Sequence, residues 1–335
     1  MTVVPMVPAP MIPERLDHYM ARANAAYYTA RDPFADFTTA PEISQVFGEC
    51  LGLWAAVTWR LLGSPAPVVL AEAGPGRGTM MADALRAIAR AAPDFHAALS
   101  VHLIETSPRL RAAQRETIGN ATWHDTPATL PEAPLLLLAN EFLDALPIRQ
   151  FIRRNNTWQE RFVSGKSFVE QPADHDPAFP AEEGAIVERC EAAETLIAAL
   201  AIRLTRHPGA ALFLDYGPEV SAAGDSLQAI AAGKSADPLA VAPGEADLTA
   251  HVDFARLAAV ARTQGAAAHG PAAQGLFLAR LGLFQRTNQL ARDKPRAQAM
   301  ALMEGARRLG EPDRMGRLFK ALALTSPAME PPGFA

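Results

Sequence analysis

The chain of 335 residues is long enough for one large or two modest domains, and either arrangement buries a substantial core. With 49% hydrophobic and 20% charged residues it has ordinary globular usage, which excludes disordered, collagen-like and coiled-coil organisation. A formal net charge of -5 gives no electrostatic reason to expect nucleic acid or an anionic membrane as the main partner.

In chain order, the leader from Met1 to Pro13 has four prolines and no basic residue, so it fits neither a signal peptide nor an arginine-rich transit peptide. The apolar run Leu135 to Ala139 is too short to span a bilayer. A cytoplasmic location is expected, with the mitochondrial matrix as the alternative if a presequence has been removed. Glu14 to Tyr28 reads as a helix, and Pro41 to Leu62 as a second. In the second, Ile43, Val46, Phe47, Cys50, Trp54, Val57 and Leu61 recur at helical spacing, Thr39 and Glu42 form a T-x-x-E capping box, and Gly63 supplies the stop. Cys50 and Cys190 lie far apart, so neither a CxxC metal pair nor a disulfide scaffold is expected.

Short apolar runs then alternate with helical stretches: Val68 to Ala71, Met80 to Ala91, Val101 to Ile104, Pro108 to Thr117. Ser107-Pro108 marks a strand-to-helix turn, with a capping side chain before proline at the first helical position. Ala121 to His124, Leu135 to Ala139 and Ala211 to Leu214 add strands, so an α/β, mostly parallel, doubly wound sheet is expected. Ile148 to Arg154 and Trp158 to Val163 flank Asn155-Asn156, which predicts an inserted β-hairpin. Pro218 to Asp247 reads as a loop-rich cap, Ala272 to Arg308 as helical, and Leu318 to Leu324 as a closing strand. The expected partition is an N-terminal helical segment (1–63), a core domain (64–147 with 209–330) and an inserted hairpin and helix (148–208).

Glu72-Ala73-Gly74-Pro75-Gly76-Arg77-Gly78-Thr79 puts an acidic residue and three alternating glycines between strand and helix, where backbone must turn sharply or approach a ligand closely. A dinucleotide site needs G-x-G-x-x-G, and Thr79 occupies the third glycine's slot; a P-loop needs a lysine that Gly78-Thr79-Met80 lacks. S-adenosylmethionine, with no pyrophosphate and a cationic amino-acid head, suits Glu72 and the glycines better. Glu105, ending the next strand, can hold ribose hydroxyls, and Asp125 either accepts from the adenine amino group or sits in a plain surface turn.

Ligands of open α/β sheets bind beyond the carboxyl ends of the strands, where Asn140-Glu141-Phe142-Leu143-Asp144 and Asp215-Tyr216-Gly217 follow apolar runs. Asn140 capping a helix is one reading. The other is a cation pocket: guanidinium stays protonated in water, so an arginine acceptor needs carboxylates such as Glu141 and Asp144 to grip it and take its proton. Nucleic-acid amino-methyltransferases carry an Asn/Asp-Pro-Pro-aromatic loop here, and this chain lacks both prolines. His251 is a candidate proton acceptor or a structural histidine, and Asp247 and Asp253 can cap a helix from Phe254 to Thr263.

The glycine turn, Asp36 to Glu49, Glu105-Thr106-Ser107-Pro108, Ala139 to Pro147, Asp215-Tyr216-Gly217, Gly224 to Ala229, Gly244 to Phe254 and Met315 to Lys320 together resemble the MidA-like family of SAM-dependent methyltransferases. The resemblance spans roughly Tyr27 to Lys320 and implies a class I methyltransferase (Rossmann-like) fold with family insertions. It implies S-adenosyl-L-methionine as cofactor, held by Glu72, Gly74, Gly76, Gly78 and Glu105, and brings Thr39, Pro41 and Glu42 toward the active site. Because the family includes an assembly factor that methylates an arginine of a mitochondrial complex I subunit, it also implies protein arginine methylation, possible here on such a subunit. Ala35, Ala73 and the Ala232-Gly233-Lys234 segment depart from the family pattern. The resulting expectation is an arginine methyltransferase with Glu141 and Asp144 at the acceptor, Tyr216 and His251 in support, and Asn140 with Asp125 near the cofactor. The alternatives are a non-catalytic SAM-binding assembly factor and an NAD-dependent oxidoreductase.

Overall fold

The computed structural model describes residues 12–31, 38–327 and 329–334. The leader through residue 11 and the Ala35-Asp36-Phe37 block lie outside the described residues. In chain order, β1 (Glu14–Arg15) runs straight into α1 (Leu16–Ala30), and the expected second helix is two, α2 (Ala40–Ile43) and α3 (Gln45–Leu61). Ser44 separates them in an extended conformation and caps α3 by accepting the Val46 N–H. The T-x-x-E box is corrected: Thr39 makes no side-chain cap, and the Glu42 carboxylate instead accepts the Thr79 hydroxyl at 2.6 Å.

The alternation follows as β2 (Val68–Ala73), α4 (Thr79–Ala91), α5 (Pro93–Ala98), β3 (Leu99–Ile104), α6 (Pro108–Ile118), β4 (Thr122–His124) and β5 (Leu135–Asn140). Ser107 caps α6 as expected. Next, β6 (Arg149–Arg154) and β7 (Thr157–Ser164) form the hairpin; Asn155 and Asn156 both have positive φ, which matches a two-residue turn to strand twist. Then come β8 (Ser167–Pro172), β9 (Ile186–Arg189), α7 (Glu191–Arg206) and β10 (Gly209–Tyr216). The stretch expected to be loop-rich contains β11 (Gln228–Ala231) and β12 (Lys234–Ala236), and ends at β13 (Asp247–Thr249). The chain continues through α8 (Phe254–Thr263), β14 (Ala267–Ala273), α9 (Gln274–Arg280), α10 (Leu283–Ala291), α11 (Arg296–Gly310) and β15 (Phe319–Thr325).

These elements divide into two compact units. One, made of 32–145, 192–221 and 251–335, holds a seven-stranded sheet in the order β14-β15-β10-β5-β2-β3-β4. The run from β10 to β4 is parallel, and β15 is antiparallel to both neighbours. Successive strands leave β2 in one direction toward β4 and return to its other side as β5 and β10. The crevice at the carboxyl ends of β2 and β5 is thus the topological switch point, where such sheets bind ligands. Both strands are buried throughout. Helix α3 lies tightly on α4: a Cβ at Gly48 would sit 2.7 Å from the Asp83 Cβ, and one at Gly52 2.7 Å from the Ala84 Cα.

The other unit comprises the segment ending at Arg31, Leu146–Glu191 and Ala222–Ala250. Its five-stranded sheet runs β1-β7-β6-β9 with β8 on β7, beside a three-stranded sheet β12-β11-β13. Leu16, Met20, Ile148, Val163, Ala229 and Leu248 share its core, so α1 groups with the inserted strands, whereas residues 192–206 of α7 group with the parallel sheet. That division differs from the 1–63, 64–147 with 209–330, and 148–208 partition, because the apolar stripe of α1 finds its partners on strands far along the chain.

Candidate active site

Glu72, next to last in β2, is buried and its carboxyl is pushed up to about 8 by burial; one oxygen accepts the Met81 N–H, and Oε2 has no hydrogen-bond partner. Gly74, Gly76 and Gly78 follow with φ of +66°, +54° and +86°, the left-handed region that favours glycine. A Cβ at Gly78 would also stand 2.9 Å from the Ile118 Cδ1. A buried carboxyl with one oxygen unengaged, followed by a turn that favours glycine at three positions, fits a small ligand with a cationic head.

On the next strand end, Glu105 Oε1 accepts the Ser107 N–H at 2.7 Å, and burial raises its pKa. The turn and this strand end are tied together by Gln114, a fully buried side chain on α6. Its amide donates to the Gly76 carbonyl at 2.7 Å and to Glu105 Oε2 at 3.4 Å, and its oxygen accepts the Trp123 indole N–H at 2.8 Å. Asp125 lies on the surface and accepts from Arg111 at 2.7 Å. That ion pair is the surface-turn arrangement, and nothing in it points to an adenine contact.

Across the switch point, β5 ends at Asn140 and no helix follows, so the capping reading of Asn140 is set aside. Its Nδ2 donates to Glu141 Oε1 at 3.1 Å, and its buried Oδ1 has no partner. Glu141 is left-handed with φ of +48°, an unusual conformation for a side chain of its size. The loop is held by Asp215, whose Oδ2 accepts the N–H groups of Phe142, Leu143 and Asp144 at 3.1, 2.9 and 3.2 Å, while Oδ1 accepts that of Tyr216 at 2.9 Å. Asp144 is buried; burial and then the Glu141 charge push it up to about 7, the Tyr216 hydroxyl donates to it, and its Oδ1 has no partner. Burial and the charges of Asp144 and Glu141 also hold Asp215 well above the usual carboxylate range.

The Tyr216 ring packs edge-on against His251 at 5.6 Å, and desolvation followed by the Lys320 charge lowers the histidine's pKa. Helix α2 bridges the two halves of the site: Glu42 reaches Thr79, and the Ala40 N–H donates to Glu141 Oε1 at 3.1 Å. Thr39, half-buried, and Pro41 therefore sit on the segment that spans the crevice. Asp253 caps α8 through the Arg256 N–H, but Asp247 lies in β13 and accepts the Tyr28 hydroxyl, so its capping role is corrected. Sequence reasoning missed Gln114 and the loop-holding part of Asp215. Among the described residues no group of histidine, cysteine and carboxylate side chains could hold a metal.

The profile of an S-adenosyl-L-methionine-dependent methyltransferase family matches residues 50–272. The chain is 35% identical to the mitochondrial protein arginine methyltransferase NDUFAF7 homolog of Drosophila melanogaster, over 93% of this chain and 80% of that protein. It is 33% identical to mitochondrial NDUFAF7 of Homo sapiens, over 93% and 79%. A Burkholderia thailandensis protein crystallised with S-adenosyl-homocysteine superposes with a TM-score of 0.80 at 26% identity, covering 97% of this chain and 90% of that one.

Proposed function

Since the chain belongs to this family of S-adenosylmethionine-dependent methyltransferases, we propose that its acceptor is an arginine nitrogen of a protein. The observation that carries the reading is the pair of carboxyl groups Glu141 and Asp144, gathered on the acceptor side of the switch point in the loop that Asp215 holds. Such a pair repels itself until a cation arrives, and a guanidinium is the protein cation with the flat, multi-donor shape to engage both carboxylates. The arginine methyltransferase names of the relatives support the same acceptor.

S-adenosylmethionine, when bound, supplies an electrophilic methyl group. Glu72 would hold its ammonium, Gly74, Gly76 and Gly78 would allow backbone to close around the amino-acid part, and Glu105 would accept from the ribose hydroxyls. Glu141 and Asp144 would orient the guanidinium, and Asp144 Oδ1, the oxygen without a partner, would take the proton that the nitrogen loses. A carboxyl near pH 7 is suited to accept and release that proton. Tyr216 steadies Asp144 through its hydroxyl, and His251 offers the proton a way out. Asn140 lies between donor and acceptor, while Thr39 and Pro41 cover the crevice. Asp125 is the weakest of the proposed cofactor contacts because Arg111 already engages it.

A respiratory complex I subunit is the first substrate to try, and the mitochondrial names of the relatives favour the matrix over the cytoplasmic expectation. Family membership removes the NAD-dependent oxidoreductase alternative. The test is transfer of labelled methyl from S-adenosylmethionine into matrix protein, with mass spectrometry of the product. Methylarginine is expected, lost in Glu141→Gln with S-adenosylhomocysteine binding retained. Tight cofactor binding with no label in any protein would leave the non-catalytic assembly factor as the correct reading.

A further inference from the structure

Away from the crevice, α10 and α11 enclose a groove of about 840 Å³. Phe284, Thr287 and Asn288 line it from α10, and Met300, Met303 and Arg307 from α11. Both sets recur at three- and four-residue spacing, so each helix presents one stripe to the groove. Met300 is 60% and Met303 45% exposed, on the side of the helix away from its buried Gly305, Ala306 and Leu309. Unbranched, polarizable methionines in a concave surface suit a partner's apolar side chains.

Charge tells what partner. Between Arg280 and Arg317 there are nine arginine and lysine residues and four aspartate and glutamate residues, in a chain whose net charge is -5. At one end of the groove the charges are satisfied within the chain: Arg314 pairs with Glu304, and Arg307 with Glu311 at 3.1 Å. At the other end Arg292 and Lys294, with Asp293 between them, are exposed on the turn joining the helices, and the exposed Arg296 opens α11. Arg292 falls four residues after Asn288 and Arg296 four before Met300, so both stripes end in cations.

We propose that this groove docks an amphipathic helix of a partner protein, with an apolar stripe on Phe284, Met300 and Met303 and carboxylates at the Arg292 to Arg296 end. A second copy of the chain is disfavoured, because its own basic turn would meet like charge. A lipid surface is disfavoured because membranes take protruding apolar faces rather than concave ones. The docked helix would lie on the side of α11 opposite Gly305, whose buried face meets the Ile43 carbonyl at the end of α2. Partner binding would thus be one helix away from the segment that spans the crevice. This inference does not depend on arginine being the acceptor.

The test uses the full chain and a fluorescein-labelled helical peptide of leucines at i, i+3, i+4 and i+7 with glutamates flanking them. Fluorescence anisotropy should give micromolar binding, weakened at least ~10-fold by Met303→Asp, as expected for loss of a central apolar anchor. Arg296→Glu should weaken it as well and reduce its salt dependence. The S-adenosylhomocysteine thermal shift should be unchanged in both variants, which checks that they fold. Equal or tighter binding of a lysine-for-glutamate peptide would overturn the proposal, as would no binding of either peptide. So would binding to phosphatidylserine vesicles in place of the peptide, or a dimer in sedimentation that Met303→Asp dissociates.

Discussion

Asp144 and Asp215 share one buried pocket but differ in what holds them. Both oxygens of Asp215 are engaged by backbone N–H groups, so it can serve only by fixing the loop, whereas Asp144 keeps one oxygen without a partner. That difference separates a positioning residue from one able to meet a substrate. Because burial and the Glu141 charge push Asp144 up to about 7, its carboxylate is the minority form below that pH and the majority form above it. Methyl transfer measured at saturating donor should therefore climb as pH rises through about 7. Asp144→Asn should cost roughly 10²-fold or more, the usual scale for a positioned acid or base, and flatten the profile while S-adenosylhomocysteine still binds. A wild-type rate indifferent to pH between 6 and 8 would remove Asp144 from the proton path.

The elements around this pocket were legible to different degrees, and range along the chain explains which. The strand and helix alternation, the Asn155-Asn156 hairpin and the glycine turn all announce themselves within a few residues, through periodicity, positive φ and capping. Ser44 did not: the apolar spacing of Ile43, Val46 and Phe47 continues across it, so the break between α2 and α3 is invisible to a helical pattern. The strands β11 and β12 are short and rich in alanine, serine and glycine neighbours, which carry little strand preference. Asp215 holds residues more than 70 positions earlier, and Gln114 reaches back 38 residues to Gly76; chemistry at that range has no local signature. The Gly48 and Gly52 pair belongs to the same class, since their spacing places both on one face but says nothing of α4. With backbone of Ala84 only 2.7 Å from where a Cβ would stand, Gly52→Val must push α3 off α4. Overpacking of this kind costs about 1–3 kcal/mol, visible as a lower chemical-denaturation midpoint, and Gly63→Ala, which meets nothing within 4 Å but keeps a positive φ, should cost less. Equal losses in both variants would mean that α3 and α4 are not closely fitted.

Over the whole molecule, the site carboxyls set how stability varies with pH. Glu72, Asp144 and Asp215 all have folded pKa values above those of an unfolded chain, the first at about 8 and the second at about 7. The folded state then binds more protons than the unfolded one across this range, so stability is present at low pH and is lost as pH rises through those values. The lowered carboxyls Asp17, Glu49, Glu170 and Asp174 act in the opposite sense, but only in the acid range where they titrate. The depressed histidines His102, His124, His251 and His269 withdraw stability only as pH falls below their ordinary range. Between pH 7 and 8 the site dominates, and the ligand-free protein should melt at progressively lower temperature as pH rises. Glu72→Gln removes one of the responsible groups, so it should flatten that slope and raise the melting temperature at pH 8 even as it weakens S-adenosylhomocysteine binding. Binding to wild type should also release a proton near pH 7.5, because Glu72 must ionise to accept an ammonium, and calorimetry in buffers of different ionisation enthalpy reads that number directly. A melting temperature that rises with pH across this window, or binding with no buffer dependence, would show that the switch-point carboxyls are already ionised in the free protein.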